Sequence, residues 1–518
     1  MSSHLPGHEL PPAGAPGSGV VAEPESALAV LRNRKFLYLW LAQVATQIGA
    51  NMVLYGLTVQ VFTLSEPGFR NTAVSLLILS FLVPAVVFGA IAGVYVDRLE
   101  RRIVLVVSNL VRAAAFVALL FTGDQLALIY LLTIVVSTGT TFFGPAEAAM
   151  IPVVVPRRQL LAANSLYIFT LQAAFFLGFA LAGPLVIQLA GYDVLLVLTA
   201  ALFIVAGAIC WLLPAYHPQL GVSRPVQALG EAGSAVASTF SQLRDGLVFI
   251  RANRTVFWPL TYLAITASLV GVLGVLGPGY ATDTLGLTER DFVVVVLPLG
   301  MGLITGVLAL NVYGKFFSRR RGIEIGLVGL GVSLLVLAIA QPVTSALDLG
   351  PLASLLSVVV VVAFAAGVAY GFVAVPAQTQ LQEELPPGIR GRVFGVLNML
   401  ISIASFLPIV LVGPIADALG PGPVLQGVAI AVLFAAAGSV LWAHPTRDEA
   451  GRPSGLVEPI DPVAITGRSL TQPIALTYVD DDFSGGLSYV ASPVVPGRSG
   501  PGTIDEVERT GEDEAEPQ

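Results

Sequence analysis

Long apolar runs separated by short polar segments divide almost the whole sequence. A helix needs about 20 apolar residues to cross the hydrocarbon core of a bilayer, and twelve runs have about this length or more. They predict membrane-spanning helices at about residues 36–63, 71–96, 103–122, 126–147, 162–190, 193–213, 256–282, 292–314, 322–340, 352–380, 392–418 and 423–443. Only 11% of the residues are charged, whereas about 25% are charged in soluble domains. We therefore expect an all-α integral membrane protein with twelve transmembrane helices.

The polar intervals between these runs predict how the chain is divided. Two tails rich in Pro and Gly flank the apolar runs, and neither shows the periodicity of a folded element, so we expect both to be disordered. Acidic residues at the end of the second tail contribute much of the net charge of -7. The predicted regions are a cytoplasmic tail at 1–32, a six-helix half at 33–213, a cytoplasmic linker at 214–255, a second six-helix half at 256–443 and an acidic cytoplasmic tail at 444–518.

Basic residues near the apolar runs predict the orientation. Short loops rich in Lys and Arg remain in the cytoplasm. With twelve spans, eighteen basic residues fall on one side of the membrane and only two, Arg70 and Arg290, fall on the other. We therefore expect a multi-pass protein of the cell membrane with both termini in the cytoplasm.

An internal repeat supports the division into two halves. The sequence Pro145-Ala146-Glu147 has a counterpart in Pro376-Ala377-Gln378, 231 residues later, and a second proline follows each tripeptide at the same distance. Parallel repeats of six helices are an architecture in which the substrate site lies between the halves near the middle of the membrane.

One polar turn joins the second and third apolar runs. Its sequence, Gly93-x-x-x-Asp97-Arg98-x-x-Arg101-Arg102, resembles the signature loop of the major facilitator superfamily and occupies the same position in the chain. Further segments resemble the branch of that family that contains enterobactin exporters and macrolide efflux proteins. They are 33–43, 143–152 with 163–166, and Arg390-Gly391-Arg392-Val393-Phe394. The resemblance covers about residues 33–443 and implies a bacterial transporter.

The resemblance also implies a gate at this turn. In the family, the signature aspartate caps the start of helix eleven and pairs with basic residues, which holds the two halves together at the cytoplasmic face. Here Asp97 would lie near Gly391 and Arg392. The gating residues implied are Gly93, Asp97, Arg98, Arg101, Arg102 and Arg392. The alternative is that the turn only determines topology, as its arginines alone would do.

Charged residues inside the predicted spans are few, and two of them could pair. Arg112 on helix three and Glu147 on helix four lie on antiparallel neighbours at depths that allow them to pair. Such a pair could be a buried ion pair that fixes the helix packing. It could instead be a switch in which Glu147 takes up a proton as the substrate moves.

Uncharged polar residues predict a substrate cavity. Gln43, Gln47 and Asn51 follow one another at intervals of four residues, on one face of helix one. This stripe either bonds to a neighbouring helix or faces the substrate. The predicted wall consists of Gln43, Gln47, Asn51, Tyr55, Gln172, Tyr262, Thr266 and Asn398. It contains no ring of acidic or basic residues, which favours a neutral, amphiphilic or weakly charged substrate.

These features predict a secondary transporter that moves a small organic molecule, most simply outward, by alternating access. The branch often has an acidic residue on helix one where this chain has Ala50 and Asn51, which weakens the case for protons as the coupling ion. Gly183-Pro184 on helix five matches the export signature only in part. An importer, a facilitator and a membrane scaffold or sensor without transport activity remain as alternatives.

Other classes of protein fit the sequence less well. All four histidines lie outside the apolar runs, which argues against an intramembrane enzyme or a histidine-bound metal. There is no phosphate-binding loop of the Gly-x-x-x-x-Gly-Lys-Ser/Thr type, so we expect no ATP hydrolysis by this chain. We expect a monomer in the lipid bilayer, with no cofactor and no nucleic-acid partner.

Overall fold

A computed structural model describes residues 27–96, 98–216, 254–313, 318–346, 353–384 and 390–442. Within these residues the chain forms helices and short connections, with no strand. The α-helices are α1 (Arg34–Leu64), α2 (Arg70–Val96), α3 (Arg101–Leu119), α4 (Leu126–Val154), α5 (Leu160–Phe175), α6 (Gly183–Trp211), α7 (Arg254–Gly279), α8 (Val293–Tyr313), α9 (Arg319–Ala346), α10 (Ala353–Glu384), α11 (Arg390–Leu419) and α12 (Pro421–Trp442). Shorter 3-10 helices are Ala27–Arg32, Arg157–Gln159 and Glu289–Phe292, and π-helical turns are Phe176–Ala182 and Tyr280–Thr284.

Each of the twelve predicted spans is helical in the structure, and the ends of the helices differ from the predicted ends by a few residues. By length and hydropathy, ten helical segments of the described residues are candidate membrane spans, and the apolar segment Ile403–Leu419 is shorter. One candidate, Arg157–Trp211, has 55 residues, far more than the roughly 20 that one crossing needs. Gly191 lies inside it with a φ of 86°, which breaks the helix at the boundary expected between the fifth and sixth spans.

The helices form two sets that pack mainly on themselves. In the first set α1 and α3 pack on α6, and α4 packs on α2 and α3; in the second, α10 packs on α8 and α9, and α7 packs on α11. The sets meet where α2 contacts α7 and α11, and where the π-helical turn after α5 contacts α8. Most of the predicted linker and of the first predicted tail, and all of the second tail, fall outside the described residues.

Small residues allow some of these helices to approach very closely. A Cβ atom built on Gly302 of α8 would collide with the carbonyl oxygen of Phe364 on α10, and one built on Gly367 of α10 would collide with that of Leu299 on α8. Glycine is the residue that lets two membrane helices touch through their backbones. The two helices are therefore in direct backbone contact.

A side-chain cap fixes where α1 begins. The side chain of Asn33 accepts a hydrogen bond from the backbone N–H of Lys35, which is one of the N–H groups without a partner in the first turn. The same side chain donates to the carbonyl oxygen of Val154 at the end of α4, at 2.6 Å. One residue therefore both starts α1 and ties it to α4.

Candidate substrate cavity between the helix sets

A cavity of about 630 Å³ lies between the two sets of helices. Helices α1, α2, α4 and the π-helical turn after α5 form one wall, and α7–α10 with the start of α12 form the other. Among the described residues that line it, none carries a charge, and hydrocarbon side chains make up most of the surface. A cavity of this size fits a drug-sized molecule, because ligand pockets are typically about 300–1,000 Å³ and mostly apolar.

Two of the eight predicted cavity residues line this space. Gln47 and Asn51 of α1 both face it, and the Asn51 amide donates to the Gln47 carbonyl oxygen at 2.8 Å. Gln43, one turn earlier, is buried and donates to the carbonyl oxygen of Tyr167 on α5 at 3.1 Å. The polar stripe is thus divided, since its first residue joins two helices and the next two face the cavity.

The other predicted cavity residues lie elsewhere or fall outside the described side chains. Tyr262 of α7 shares a hydrogen bond with Ser439 of α12, and Thr266 donates to carbonyl oxygens of its own helix. The hydroxyl of Tyr55 donates to the carbonyl oxygen of Arg290, beside rather than in the cavity wall. The side chains of Gln172 and Asn398 fall outside those that the structure describes.

Several lining residues were missed by the sequence reasoning. Ser137, Thr140 and Thr141 bring a polar patch to the wall from α4, and Tyr280 and Tyr370 add hydroxyl-bearing rings from the other set. The cluster of hydroxyl residues at 137–141 was a visible signal, because so dense a group is unusual within an apolar run. The hydroxyls of Thr140 and Thr141 donate to carbonyls one turn earlier, so each is satisfied within its helix.

Arg112 and Glu147 are both buried next to the wall of the cavity. The guanidinium of Arg112 donates to the side chain of Asn109 at 2.7 Å and to the carbonyl oxygen of Ser108. It lies over the rings of Phe143 and Phe203, 4.4 and 4.6 Å from their centres. Arg112 also donates to the hydroxyl of Thr140, which lines the cavity.

Glu147 interacts with this arginine only at a distance. Its side chain is 1% exposed, and neither carboxylate oxygen forms a hydrogen bond of full geometry among the described residues, although the carboxylate interacts with the hydroxyl of Tyr167 on α5. The charges of Arg112 and Glu147 interact electrostatically, but the two side chains form no ion pair within 4 Å in the part of the chain that the structure describes. The structure therefore brings the predicted pair together without a direct contact.

The turn at 93–102 defines one end of the bundle, which we call the basic end. Arg101 donates to the carbonyl oxygen of Ala149 on α4 at 2.8 Å and lies over the ring of Tyr216. Arg102 lies over the ring of Trp211 at the end of α6 and forms an ion pair with Glu100. These arginines therefore anchor the turn to helices of its own set.

The structure describes fewer contacts for the remaining predicted gating residues. Arg98 is half-buried, and Gly93 has no neighbouring atoms within 4 Å of an added Cβ among the described residues. Asp97 and the side chain of Arg392 fall outside the described part of the chain. Their predicted contact therefore stays a prediction.

The two sets of helices meet closely at the other end of the bundle, which we call the opposite end. Tyr55 stacks on Phe292, with ring centres 4.6 Å apart, and Phe179 packs edge-on against both rings. Thr63 at the end of α1 donates to the carboxylate of Glu289 at 3.2 Å. An aromatic cluster, whose Phe179 also lines the cavity, and a hydrogen bond thus join the sets at this end.

Comparisons with known proteins agree with this architecture. A sequence model described as Major Facilitator Superfamily matches residues 39–409. The multidrug efflux pump Tap of Mycolicibacterium fortuitum is 29% identical over 365 residues, which are 67% of this chain and 81% of that protein. Macrolide efflux protein A of Streptococcus pyogenes is 23% identical over 391 residues, 74% of this chain and 90% of that protein.

Solved transporter structures share the fold. The POT family transporter PepTSo has a TM-score of 0.60 at 13% identity and covers 79% of this chain and 98% of its own. The nucleoside transporter NupG has a TM-score of 0.56 at 15% identity, with coverage of 78% and 98%. The family resemblance predicted from the signature turn is confirmed: with a family match across most of its helices, this chain is a multi-pass membrane protein that belongs to the Major Facilitator Superfamily.

Proposed function

We propose that this protein exports drug-like, largely apolar organic molecules across the cell membrane by alternating access. The observation that carries the proposal is the cavity of about 630 Å³ between the helix sets, whose described lining residues carry no charge. Apolar walls with a few hydroxyl and amide groups favour amphiphilic molecules over small ions. The relatives named as multidrug and macrolide efflux proteins support the same substrate class and the outward direction.

The basic end faces the cytoplasm in this proposal, and so do both termini. The excess of arginine and lysine at that end supports this orientation. A single chain lines the cavity from both sides, so a monomer suffices for transport. Labelling of single cysteines in intact cells tests the orientation, with Cys210 replaced by serine. A membrane-impermeant maleimide should react at Asp124→Cys, beyond α3, and not at Arg158→Cys, before α5, both of which are exposed positions.

A bulky substitution in the cavity wall tests the substrate site. We expect Thr141→Trp to abolish counterflow of a labelled macrolide in proteoliposomes, because the indole would occupy space that the substrate needs. Thr138→Trp is the matched control, since Thr138 lies on the same helix, makes the same kind of hydrogen bond to its own turn and does not line the cavity. Equal transport by the two variants, with both correctly folded, would refute the location of the site.

The direction and the existence of transport are separate questions. An exporter accumulates the macrolide in inside-out vesicles and lowers its level in intact cells that lack other efflux pumps. An importer or facilitator would raise or merely equilibrate the level in cells. A membrane scaffold would give no counterflow with any of a panel of amphiphilic drugs.

Glu147 is the residue that we assign to proton coupling. Its carboxylate is buried and interacts with the hydroxyl of Tyr167 and with Arg112, which in turn contacts the cavity through Thr140. A carboxylate in this setting can change its protonation when the arginine shifts toward or away from it. We expect Glu147→Gln to keep counterflow without a gradient and to lose accumulation driven by a pH gradient. Undiminished pH-driven accumulation would leave the pair with a packing role only.

A further inference from the structure

An aspartate of the second helix set caps a helix of the first set at the opposite end. Asp417 lies in the last turn of α11. One of its carboxylate oxygens accepts from the backbone N–H and the side-chain amide of Asn71, both at 2.9 Å, and the other accepts from the backbone N–H of Thr72, also at 2.9 Å. All three donors belong to the first turn of α2.

The position of these donors makes the contact a helix cap. The first N–H groups of a helix have no acceptor within it, and in α2 the first bond of the ladder is donated by Ala73 to Phe69. The N–H groups of Asn71 and Thr72 are therefore among those that need an outside acceptor. A carboxylate is the strongest acceptor available and is further stabilised by the positive end of the helix dipole. Here a side chain from 346 residues away supplies this cap.

The backbones around the cap are in close contact. A Cβ atom built on Gly413, one turn before Asp417, would lie 2.7 Å from the carbonyl oxygen of Asn71 and 2.9 Å from the Cα of Thr72. On the other side, a Cβ atom on Gly279 of α7 would lie 2.7 Å from the side-chain oxygen of Asn71. The start of α2 is thus held between α7 and α11, two helices of the other set.

The cap is separate from the cavity and from the predicted gate. Asp417, Asn71 and Thr72 do not line the cavity, and α2 runs its full length between them and the turn at 93–102. If the helix sets rock apart at the opposite end, α2 must leave α11 and the three hydrogen bonds must break. We propose that Asp417 is a latch that keeps the cavity closed at the opposite end and that is released and re-formed in each transport cycle.

This proposal rests on the alternating access assumed above, but its test needs no substrate. Spin labels on Asp124→Cys and Pro423→Cys, exposed positions at the opposite end of the two sets, report the separation there in lipid nanodiscs. Cys210→Ser provides a background without other thiols and keeps an acceptor for Asn109. Electron–electron double resonance then gives the distance distribution between the labels.

Asp417→Asn should shift this distribution toward long distances. The amide keeps one acceptor oxygen but loses the charge and cannot serve the N–H groups of both residues. We expect the ratio of open to closed populations to rise about tenfold, which corresponds to about 1.4 kcal/mol. Asn71→Ala removes only the side-chain donor and should produce a smaller shift in the same direction. This second variant keeps the proposal testable if Asp417→Asn fails to fold.

Asp283→Asn is the matched control. Asp283 also lies at the opposite end of the second set, but its carboxylate accepts a hydrogen bond from Thr282, its neighbour in the chain. We expect this variant to keep the distribution of the parent protein. The proposal is overturned if Asp417→Asn and Asn71→Ala both fold and keep the parent distribution, or if Asp283→Asn shifts it equally. If macrolide counterflow fails but Asp417→Asn clearly shifts the label distances, the proposed substrate is rejected and the proposed latch is supported.

Discussion

An aspartate stands at the end of α11 and another directly after α2, at opposite ends of this helix pair. At the opposite end, Asp417 from the end of α11 caps the start of α2. At the basic end, Asp97 follows the end of α2, and the family resemblance implies that it caps the start of α11. With the implied contact of Asp97, each helix would cap the start of the other. We infer that Asp97 and Asp417 act as two reciprocal latches. While the cavity is open at one end of the bundle, the latch at the other end is engaged.

The arginines show how the two ends differ. Arg101 and Arg102 bind α4 and α6, so they hold the turn to its own helix set. Asp417 has no comparable cluster of arginines around it in the sequence. The basic end therefore has arginines that bind helices of their own set beside the predicted gate, whereas the opposite end depends on hydrogen bonds and close packing.

Asp97→Asn should have the largest effect and should act in the sense contrary to Asp417→Asn. Loss of the charge weakens the cap on α11, so the basic end should open more often and export should be nearly lost. Labels on Arg158→Cys and Ser318→Cys, exposed positions of the two sets at that end, measure the separation. If Asp97→Asn instead lengthened the distances at the opposite end, the two latches would not be reciprocal.

Gly413→Ala should have an intermediate effect, confined to the opposite end. The added methyl would collide with the backbone of α2 and with the hydroxyl of Ser75, and overpacking of this kind typically costs about 1–3 kcal/mol. We expect a lower thermal midpoint and longer distances between the labels on Asp124→Cys and Pro423→Cys. Gly427→Ala on α12 is the control, because a Cβ atom there meets nothing within 4 Å. A matching loss in both variants would point to a general effect of replacing glycine rather than to the contact with α2.

Tyr55→Phe should have the smallest effect. It removes the hydrogen bond to the carbonyl oxygen of Arg290 and keeps the ring that stacks on Phe292. A single hydrogen bond contributes about 1 kcal/mol, so the open population at the opposite end should rise by about fivefold or less. The same distance measurement checks this. A shift larger than that of Asp417→Asn would make the aromatic cluster, rather than the cap, the main closure.

Much of the fold was predictable because the length of an apolar run is a local property of the sequence. The twelve runs coincide with helices, and Gly191 lies between two of them. The cavity was predictable only in part. Gln43 and Gln47 have the same spacing and chemistry, but Gln43 meets a carbonyl oxygen of α5 and Gln47 meets the cavity. Which of the two glutamines faces the cavity depends on the position of the neighbouring helix, and the residue pattern of α1 alone contains no information about that position.

Asp417 was missed for a similar reason. In the sequence it is an acid near the end of an apolar run, where a solvated charge is the ordinary interpretation. Its partners, Asn71 and Thr72, lie at the start of a run hundreds of residues earlier. An available signal was Gly413, four residues before it, since a glycine and an acid one turn apart on a membrane helix are consistent with a close approach to another backbone.

The backbone contact between α8 and α10 has a mechanical consequence. At Gly302 and Gly367 no side chain separates these helices, and a carbonyl oxygen of each lies against the backbone of the other. We therefore expect these two helices to move together where the glycines lie. The π-helical turns that follow α5 and α7 interrupt the α-helical hydrogen-bond ladder in other parts of the wall, and we expect bending there.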